Sequence, residues 1–302
     1  LLFPARRGTP GTRLAMWLDV LTVVVGGGML LWYFVLRPTA LLCDPDGRFP
    51  VHHPDPSMPE NLELLIETVK REGLDFGIAY DGDADRIGVV DRHGRAVYGD
   101  ELLVLLARDV IANRPGAAVL GEVKCSQKLY DDIAKHGGRP ILWKTGHSLI
   151  KKKMKEEHAL LAGEMSGHVF FADRFFGFDD AIYASLRLCE ILVKTGLRVD
   201  ELLADLPVTS STPELRVDCS DATKFDVVTK VLAHYRAVAE RGEGHRVIDV
   251  DGARIVFPDG AWGLVRASNT QPVLVLRFEA SDASRLAEIR AEVEAQVSAA
   301  RG

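Results

Sequence analysis

Two short apolar runs, Phe76-Gly-Ile-Ala-Tyr80 and Ile87-Gly-Val-Val90, flank a compact polar segment. Both are rich in branched and aromatic side chains and bounded by turn residues, the pattern of buried strands. Upstream, a proline-fixed loop over 46–56 leads to an amphipathic helix over 61–71, with Pro59 suited to a first helical turn and Gly73 placed to end the helix. Downstream, two periods alternate: helix 100–113, strand 118–123, helix 127–136, strand 140–143, helix 148–157, strand 159–162 and helix 179–194. That alternation predicts an α/β architecture, with parallel or mixed sheets covered by helices on both faces. From Val208 the pattern changes to strand 214–218, helix 224–241, strands 246–250, 253–257, 262–267 and 272–279, and helix 283–300. Helices on one face of an antiparallel sheet make this last part an α+β domain. The expected divisions are 1–41, 42–98, 99–207 and 208–302.

The first of these does not match the rest. Residues 14–36 are nearly all apolar, and roughly 20 such residues span a bilayer. Arg6, Arg7 and Arg13 precede them, as suits a cytoplasmic N-terminus. Asp19 and Gly26-Gly27-Gly28 speak against a span, and Leu21-Thr-Val-Val-Val25 also reads as a buried strand followed by a turn. Both readings stand on the sequence.

Charge and cysteine usage exclude some classes. A net charge of −6 over 302 residues leaves no general basic face for nucleic acid. The one basic cluster, Lys151-Lys152-Lys153 with Lys155, precedes Glu156-Glu157 and is expected on the wet side of a helix. Cys43, Cys125, Cys189 and Cys219 lie far apart with no C-x-x-C pair, which fits a reducing, cytoplasmic setting rather than a zinc or disulfide framework.

The polar segment between the two runs is Asp81-Gly82-Asp83-Ala84-Asp85-Arg86. Alternate spacing lets a loop turn three carboxylates toward one point, where they repel one another unless they surround a hard cation. A calcium loop of the EF-hand kind needs a bidentate Glu at its twelfth position and flanking helices. Here that position is Arg92 and the flanks are strand-like. The expectation is a divalent-metal site, magnesium, held by Asp81, Asp83 and Asp85. Arg86 cannot ligate a cation; it pairs either with a phosphate or carboxylate across a cleft or in a structural salt bridge.

Five motifs occur together and in order: Asp46-Gly-Arg-Phe-Pro…His-His-Pro-Asp-Pro56, the acidic turn, Trp143-Lys-Thr-Gly-His-Ser148, Gly163-Glu-Met-Ser-Gly-His168 and Arg266-Ala-Ser-Asn-Thr-Gln-Pro272. This set resembles the α-D-phosphohexomutases, and within them the bacterial phosphomannomutase/phosphoglucomutase branch, from about Leu42 onward. The resemblance implies part of the family's second domain, all of the third and all of the fourth. The first domain, which carries the phosphorylated serine in a Thr-Ala-Ser-His-Asn-like loop, has no counterpart motif here. Residues 1–41 also lack the family's Asp-x-Gly-Asn-Gly turn, as a gene fragment, a rearrangement or a shifted reading frame would each produce.

By the same resemblance, Glu164 and Ser166 grip sugar hydroxyls. Arg266, Ser268, Asn269 and Thr270 hold the non-reacting phosphate, a role their guanidinium, hydroxyl and amide groups suit. Lys124, His147 and His168 line the cleft, the two histidines as acid/base candidates and Lys124 as a source of positive charge. Trp143 and Phe170-Phe171 are expected in the core. The implied activity is interconversion of hexose 6-phosphate and hexose 1-phosphate, glucose or mannose, through a hexose bisphosphate. The competing expectation is a sugar-phosphate-binding remnant without turnover.

Overall fold

The computed structural model describes residues 39–44 and 46–302. The apolar run 14–36 lies outside the described residues. Among those described, no helix is long and apolar enough to cross a membrane. The chain divides into two compact units. One comprises the described chain up to Ile141 together with Gly146–Leu206; the other comprises Leu142–Thr145 and Pro207–Gly302.

The first unit opens with a single 3-10 turn, Pro59–Leu62, that runs into α1 (Glu63–Glu72). Leu65, Thr68 and Val69 form its buried face, and Gly73 ends it in the left-handed conformation at φ 63°. Strands β1 (Phe76–Tyr80), β2 (Ile87–Asp91) and β3 (Ala96–Val97) follow as an antiparallel sheet in that order. Every residue of β1 and β2 is buried, which is why their sequences read as unbroken apolar runs rather than as an alternation.

A second sheet is interleaved with helices: α2 (Gly99–Asn113), β4 (Ala118–Glu122), α3 (Gln127–Lys135), β5 (Arg139–Trp143), α4 (His147–Glu157), β6 (Leu161–Gly163), β7 (Val169–Phe171), α5 (Ala181–Thr195) and α6 (Val199–Leu203). Its strand order is β5-β4-β6-β7. Strands β4 and β6 pair in parallel, while β6 and β7 pair antiparallel. The sheet is mixed because 164–168 is a hairpin loop, too short for the crossover that parallel neighbours need. Phe170 and Phe171 are fully buried as expected. Trp143 departs from expectation: it is only half-buried, because it ends β5, an edge strand with one exposed flank.

In the second unit, β8 (Ser210–Ser211), β9 (Leu215–Asp218), α7 (Lys224–Glu240), β10 (Arg246–Ile248), β11 (Ala253–Val256), β12 (Trp262–Ala267), β13 (Val273–Ala280) and α8 (Ala283–Arg301) form an α+β fold. The sheet runs β10-β11-β12-β13-β8, with β9 also on β13, and every pairing is antiparallel. Val227, Val231 and Tyr235 of α7 join Ile289, Val293 and Val297 of α8 in one core with Ile255, Val265, Leu276 and Phe278. Each such side chain contributes about 1.5–3 kcal/mol relative to exposure. The Asp282 carboxylate caps α8 by accepting from the Arg285 N–H at 3.0 Å.

Candidate functional site

The acidic turn joins β1 to β2, and its first carboxylate organises it. Asp81 Oδ1 accepts from the backbone N–H groups of Asp85 at 3.1 Å and Arg86 at 3.0 Å, and Oδ2 accepts from Arg86 Nε at 2.7 Å. Arg86 also pairs with Asp55 at 2.9 Å, so its partners are two carboxylates of this chain. Ala84 takes the left-handed conformation at φ 59°, and its carbonyl accepts from the Ala181 N–H at the start of α5 at 3.0 Å. The turn brings one oxygen from each of Asp81, Asp83 and Asp85 within 4.8 Å of the others.

Burial raises the Asp85 carboxyl to about 6; neighbouring His168 pulls it down, while Asp81 and Asp83 push it up. Asp81 is held below the usual range: burial opposes this, but the Arg86 N–H and guanidinium outweigh it. Three carboxylates on one turn, closed by an arginine already paired, make a donor set that fits a hard divalent cation.

The loop 164–168 is stitched to this turn through the backbone. Ile87 N–H donates to Gly167 O at 3.1 Å, and Arg86 and His168 form an antiparallel bridge. The approach requires glycine: Gly167 sits at φ 101°, and a Cβ there would lie 2.4 Å from Ile87 O. Glu164 is buried, and its carboxylate is already engaged, with Oε1 accepting from the Gly146 N–H at 2.9 Å and Oε2 from the Ser166 hydroxyl at 3.1 Å. Glu164 and Ser166 therefore form one hydrogen-bonded pair.

The two histidines lie side by side, ring centroids 6.2 Å apart and planes 13° off parallel. His147 is exposed at the first turn of α4. His168 Nδ1 lies 3.2 Å from Asp179 Oδ2 and 3.6 Å from Asp85 Oδ2. Burial opposes protonation of His168, but Asp179, Glu164 and Asp85 together raise its pKa above the ordinary value. Asp179 falls to about 2 against the effect of its own burial, held by His168 and by Lys151 Nζ at 3.2 Å. Lys124 is buried at the end of β4, its Nζ 3.8 Å from the fully buried Glu122.

The second unit carries the other candidate loop, the connection from β12 to β13. Arg266 is buried on β12 with Nε 3.1 Å from Asp251 Oδ2. Ser268 Oγ accepts from the N–H groups of Thr270 at 3.3 Å and Gln271 at 3.2 Å, which bends the loop and leaves Asn269 and Thr270 exposed. Gly252 at φ 90° permits the preceding turn to lie against Arg266, where a Cβ would meet Val265 O at 2.5 Å.

Within the first unit, then, Asp81, Asp83, Asp85, Arg86, Glu164, Ser166, His147 and His168 fall on neighbouring loops; Arg266, Ser268, Asn269 and Thr270 fall on one loop of the second unit. The sequence reading overlooked Asp179, Asp55 and Glu122, each of which holds a candidate residue in place. Asp179, inside Phe178-Asp-Asp180 just before a helix, carries the signal of an N-cap, and the cap is the next residue, Asp180. One expectation is corrected in part: Lys152 and Lys155 are exposed, but Lys151 turns to Asp179 and His147 and half-buried Lys153 to Glu157.

Comparison with known proteins matches three profiles of one family. "Phosphoglucomutase/phosphomannomutase, alpha/beta/alpha domain II" covers residues 29–94, the corresponding domain III covers 98–209 and the C-terminal domain covers 214–296. A phosphomannomutase/phosphoglucomutase of Pseudomonas putida is 52% identical over 250 residues, 83% of this chain and 53% of the relative. The crystal structure of a phosphoglucomutase/phosphomannomutase family protein from Burkholderia thailandensis superposes with a TM-score of 0.80 at 42% identity, over 92% of this chain and 58% of that one. Aspergillus fumigatus N-acetylphosphoglucosamine mutase shares the fold at 19% identity and a TM-score of 0.55, over 74% of this chain and 48% of that one. The chain spans about half the length of the curated relatives it matches.

Proposed function

The chain belongs to the phosphoglucomutase/phosphomannomutase family, and from that premise we propose that it serves the interconversion of hexose 6-phosphate and hexose 1-phosphate, glucose or mannose, through a bisphosphorylated sugar. The observation that carries this reading is the backbone stitch between Ile87 and Gly167, which holds an acidic turn fit for a cation beside a loop bearing Glu164, Ser166 and His168. In this reading Asp81, Asp83 and Asp85 hold magnesium, the ion present with GlcNAc-6P in the A. fumigatus structure. When bound, the cation supplies positive charge at the phosphoryl group in transit.

Glu164 and Ser166, acceptor and donor in one pair, grip adjacent sugar hydroxyls. Such a pair accepts a hexose in two orientations, as moving phosphate between its two ends requires. His168 takes the proton from the attacking hydroxyl, with His147 beside it. Lys124 adds positive charge, and Arg86 fixes the turn through Asp81 and Asp55. Arg266, Ser268, Asn269 and Thr270 bind the phosphate that is not being moved. Hexose phosphates and hexose bisphosphate are the partners, in a cytoplasmic setting where the thiols of Cys43, Cys125, Cys189 and Cys219 stay free.

A second reading is binding of the sugar phosphate by these loops without turnover by these residues alone, which the engagement of both Glu164 carboxylate oxygens within the chain favours. Incubating the chain with glucose 1-phosphate, magnesium and a bisphosphate activator separates the two. Conversion removes the binding-only reading; binding by calorimetry without conversion supports it. Absence of both sinks the sugar-phosphate assignment.

A further inference from the structure

The carboxylate of Asp85 belongs to two clusters. One is the turn with Asp81 and Asp83; the other joins Asp85 to His168 and Asp179, with one ligand atom from each again within 4.8 Å of the others. We propose that Asp85, His168 Nδ1 and Asp179 Oδ2 form a second, zinc-type site that shares Asp85 with the magnesium turn, so that the two ions compete.

The chemistry of the two clusters differs in the way that separates these metals. The turn offers oxygen alone, the preference of magnesium. The second cluster offers an imidazole nitrogen with two carboxylates, a borderline donor set that favours zinc or cobalt. Ligand bonds of about 2.0–2.1 Å in a tetrahedron put neighbouring donor atoms roughly 3.3–3.4 Å apart. His168 Nδ1 stands 3.2 Å from Asp179 Oδ2 and 3.6 Å from Asp85 Oδ2, so its two donor separations bracket that edge.

An independent observation points the same way. His168 Nδ1 is buried and has no hydrogen-bond partner of acceptable geometry among the described residues, although two carboxylates lie close to it. A protonated ring held only by ion pairing would aim that N–H along one of them. Asp179 is also divided: Lys151 takes Oδ1 at 3.2 Å, which leaves Oδ2 turned to the imidazole. Three protein ligands leave the fourth tetrahedral position for water. An ion on Nδ1 fixes the remaining ring proton on Nε2, so zinc would act as an inhibitor of any proton transfer that needs Nε2 as acceptor.

The test uses the 302-residue chain and needs no turnover. Cobalt(II) is titrated while its visible absorption is followed, zinc is used to displace it, and magnesium affinity is measured by calorimetry. The expected result is a tetrahedral cobalt spectrum lost on adding zinc, with zinc affinity weakened at least tenfold by His168→Gln and by Asp179→Asn while magnesium affinity stays within threefold. Asp83→Asn should do the reverse, weakening magnesium at least tenfold and leaving zinc within threefold. Circular dichroism identifies any variant that fails to fold, and either of the first two suffices. Zinc affinity unchanged in a folded His168→Gln or Asp179→Asn chain, or lost equally in Asp83→Asn, places zinc on the acidic turn and overturns the proposal. Magnesium affinity unchanged in a folded Asp83→Asn chain counts against the magnesium turn of the proposed function, on which the shared ligand rests, whereas unchanged zinc affinity in the other two variants counts against the zinc site alone.

Discussion

Two β-hairpins carry the candidate chemistry, and they balance charge in opposite ways. Between β1 and β2, three carboxylates share one cation of their own turn, Arg86, which is already bound by Asp81 and Asp55, and only Asp85 also has His168 nearby. Burial chiefly raises the Asp85 carboxyl, and the neighbouring Asp81 and Asp83 add to that rise. Between β12 and β13, the positive group is neutralised before any ligand arrives, because Arg266 is paired with Asp251 and the Ser268 hydroxyl serves two loop amides. The first hairpin is under repulsion that a cation relieves. In the second, the Arg266 Nε already has a carboxylate partner, so in the proposed function a phosphate would meet Asp251 as a competitor. Similar scaffolds thus leave one turn with unbalanced negative charge and the other with its charges paired.

Gly167→Ala should do the most damage to the first hairpin. Its Cβ would sit 2.4 Å from Ile87 O at a φ of 101°, so the stitch must open, at a cost of about 2–4 kcal/mol. Chemical denaturation should show that loss, and calorimetry should show magnesium binding weakened with it. Unchanged stability would mean that the two loops are not held by that contact.

Next is Asp83→Asn, whose two effects should have opposite sign. Removing one of three like charges should stabilise the metal-free chain by about 0.5–1 kcal/mol, while magnesium raises its melting temperature less than in the parent. A metal-free chain that becomes less stable would contradict the idea of stored repulsion. The second hairpin is sharpened by Asp251→Asn, which frees the Arg266 guanidinium. Inorganic phosphate should bind several-fold more tightly, an effect of about 1 kcal/mol; weaker binding would show that Asp251 positions Arg266 rather than competing for it.

The smallest effect is a control away from both hairpins. Glu190 on α5 falls to about 2, chiefly through Arg174, with burial opposing and Lys194 assisting. A depressed carboxyl contributes stability that is fully present above its unfolded value of about 4.3 and is lost as pH falls toward 2. Glu190→Gln should therefore flatten the acid limb of a stability–pH curve between about pH 4.5 and 2, by less than about 1 kcal/mol. Neutral-pH magnesium affinity should not change.

The sequence reveals much of this architecture where local pattern decides it. Strand 262–267 coincides with β12 because its burial is unbroken between a glycine-containing turn and a polar loop. The hairpin flanks of the acidic turn are legible for the same reason. What escapes a linear reading is the set of partners brought together by packing. Arg86 finds Asp55 from 31 positions away, and His168 finds Asp179 across β7 and its following loop. Lys151 illustrates the limit well: a run of lysines before two glutamates has the pattern of a solvated helix face, yet Lys151 is drawn to Asp179 and Lys153 to Glu157. Nor does sequence show that Glu164 spends both oxygens within its own surroundings.

One feature of the acidic turn reaches further than its size suggests. Ala84 is bent into the left-handed region, and its carbonyl receives the opening amide of α5. That helix is 15 residues long, or about 22 Å from end to end. Its origin is thereby anchored to the backbone of the acidic turn. If the proposed magnesium binds there, hydrogen exchange at the first turn of α5 should slow on adding it, in a segment that offers the ion none of its ligands; unchanged exchange would count against that coupling.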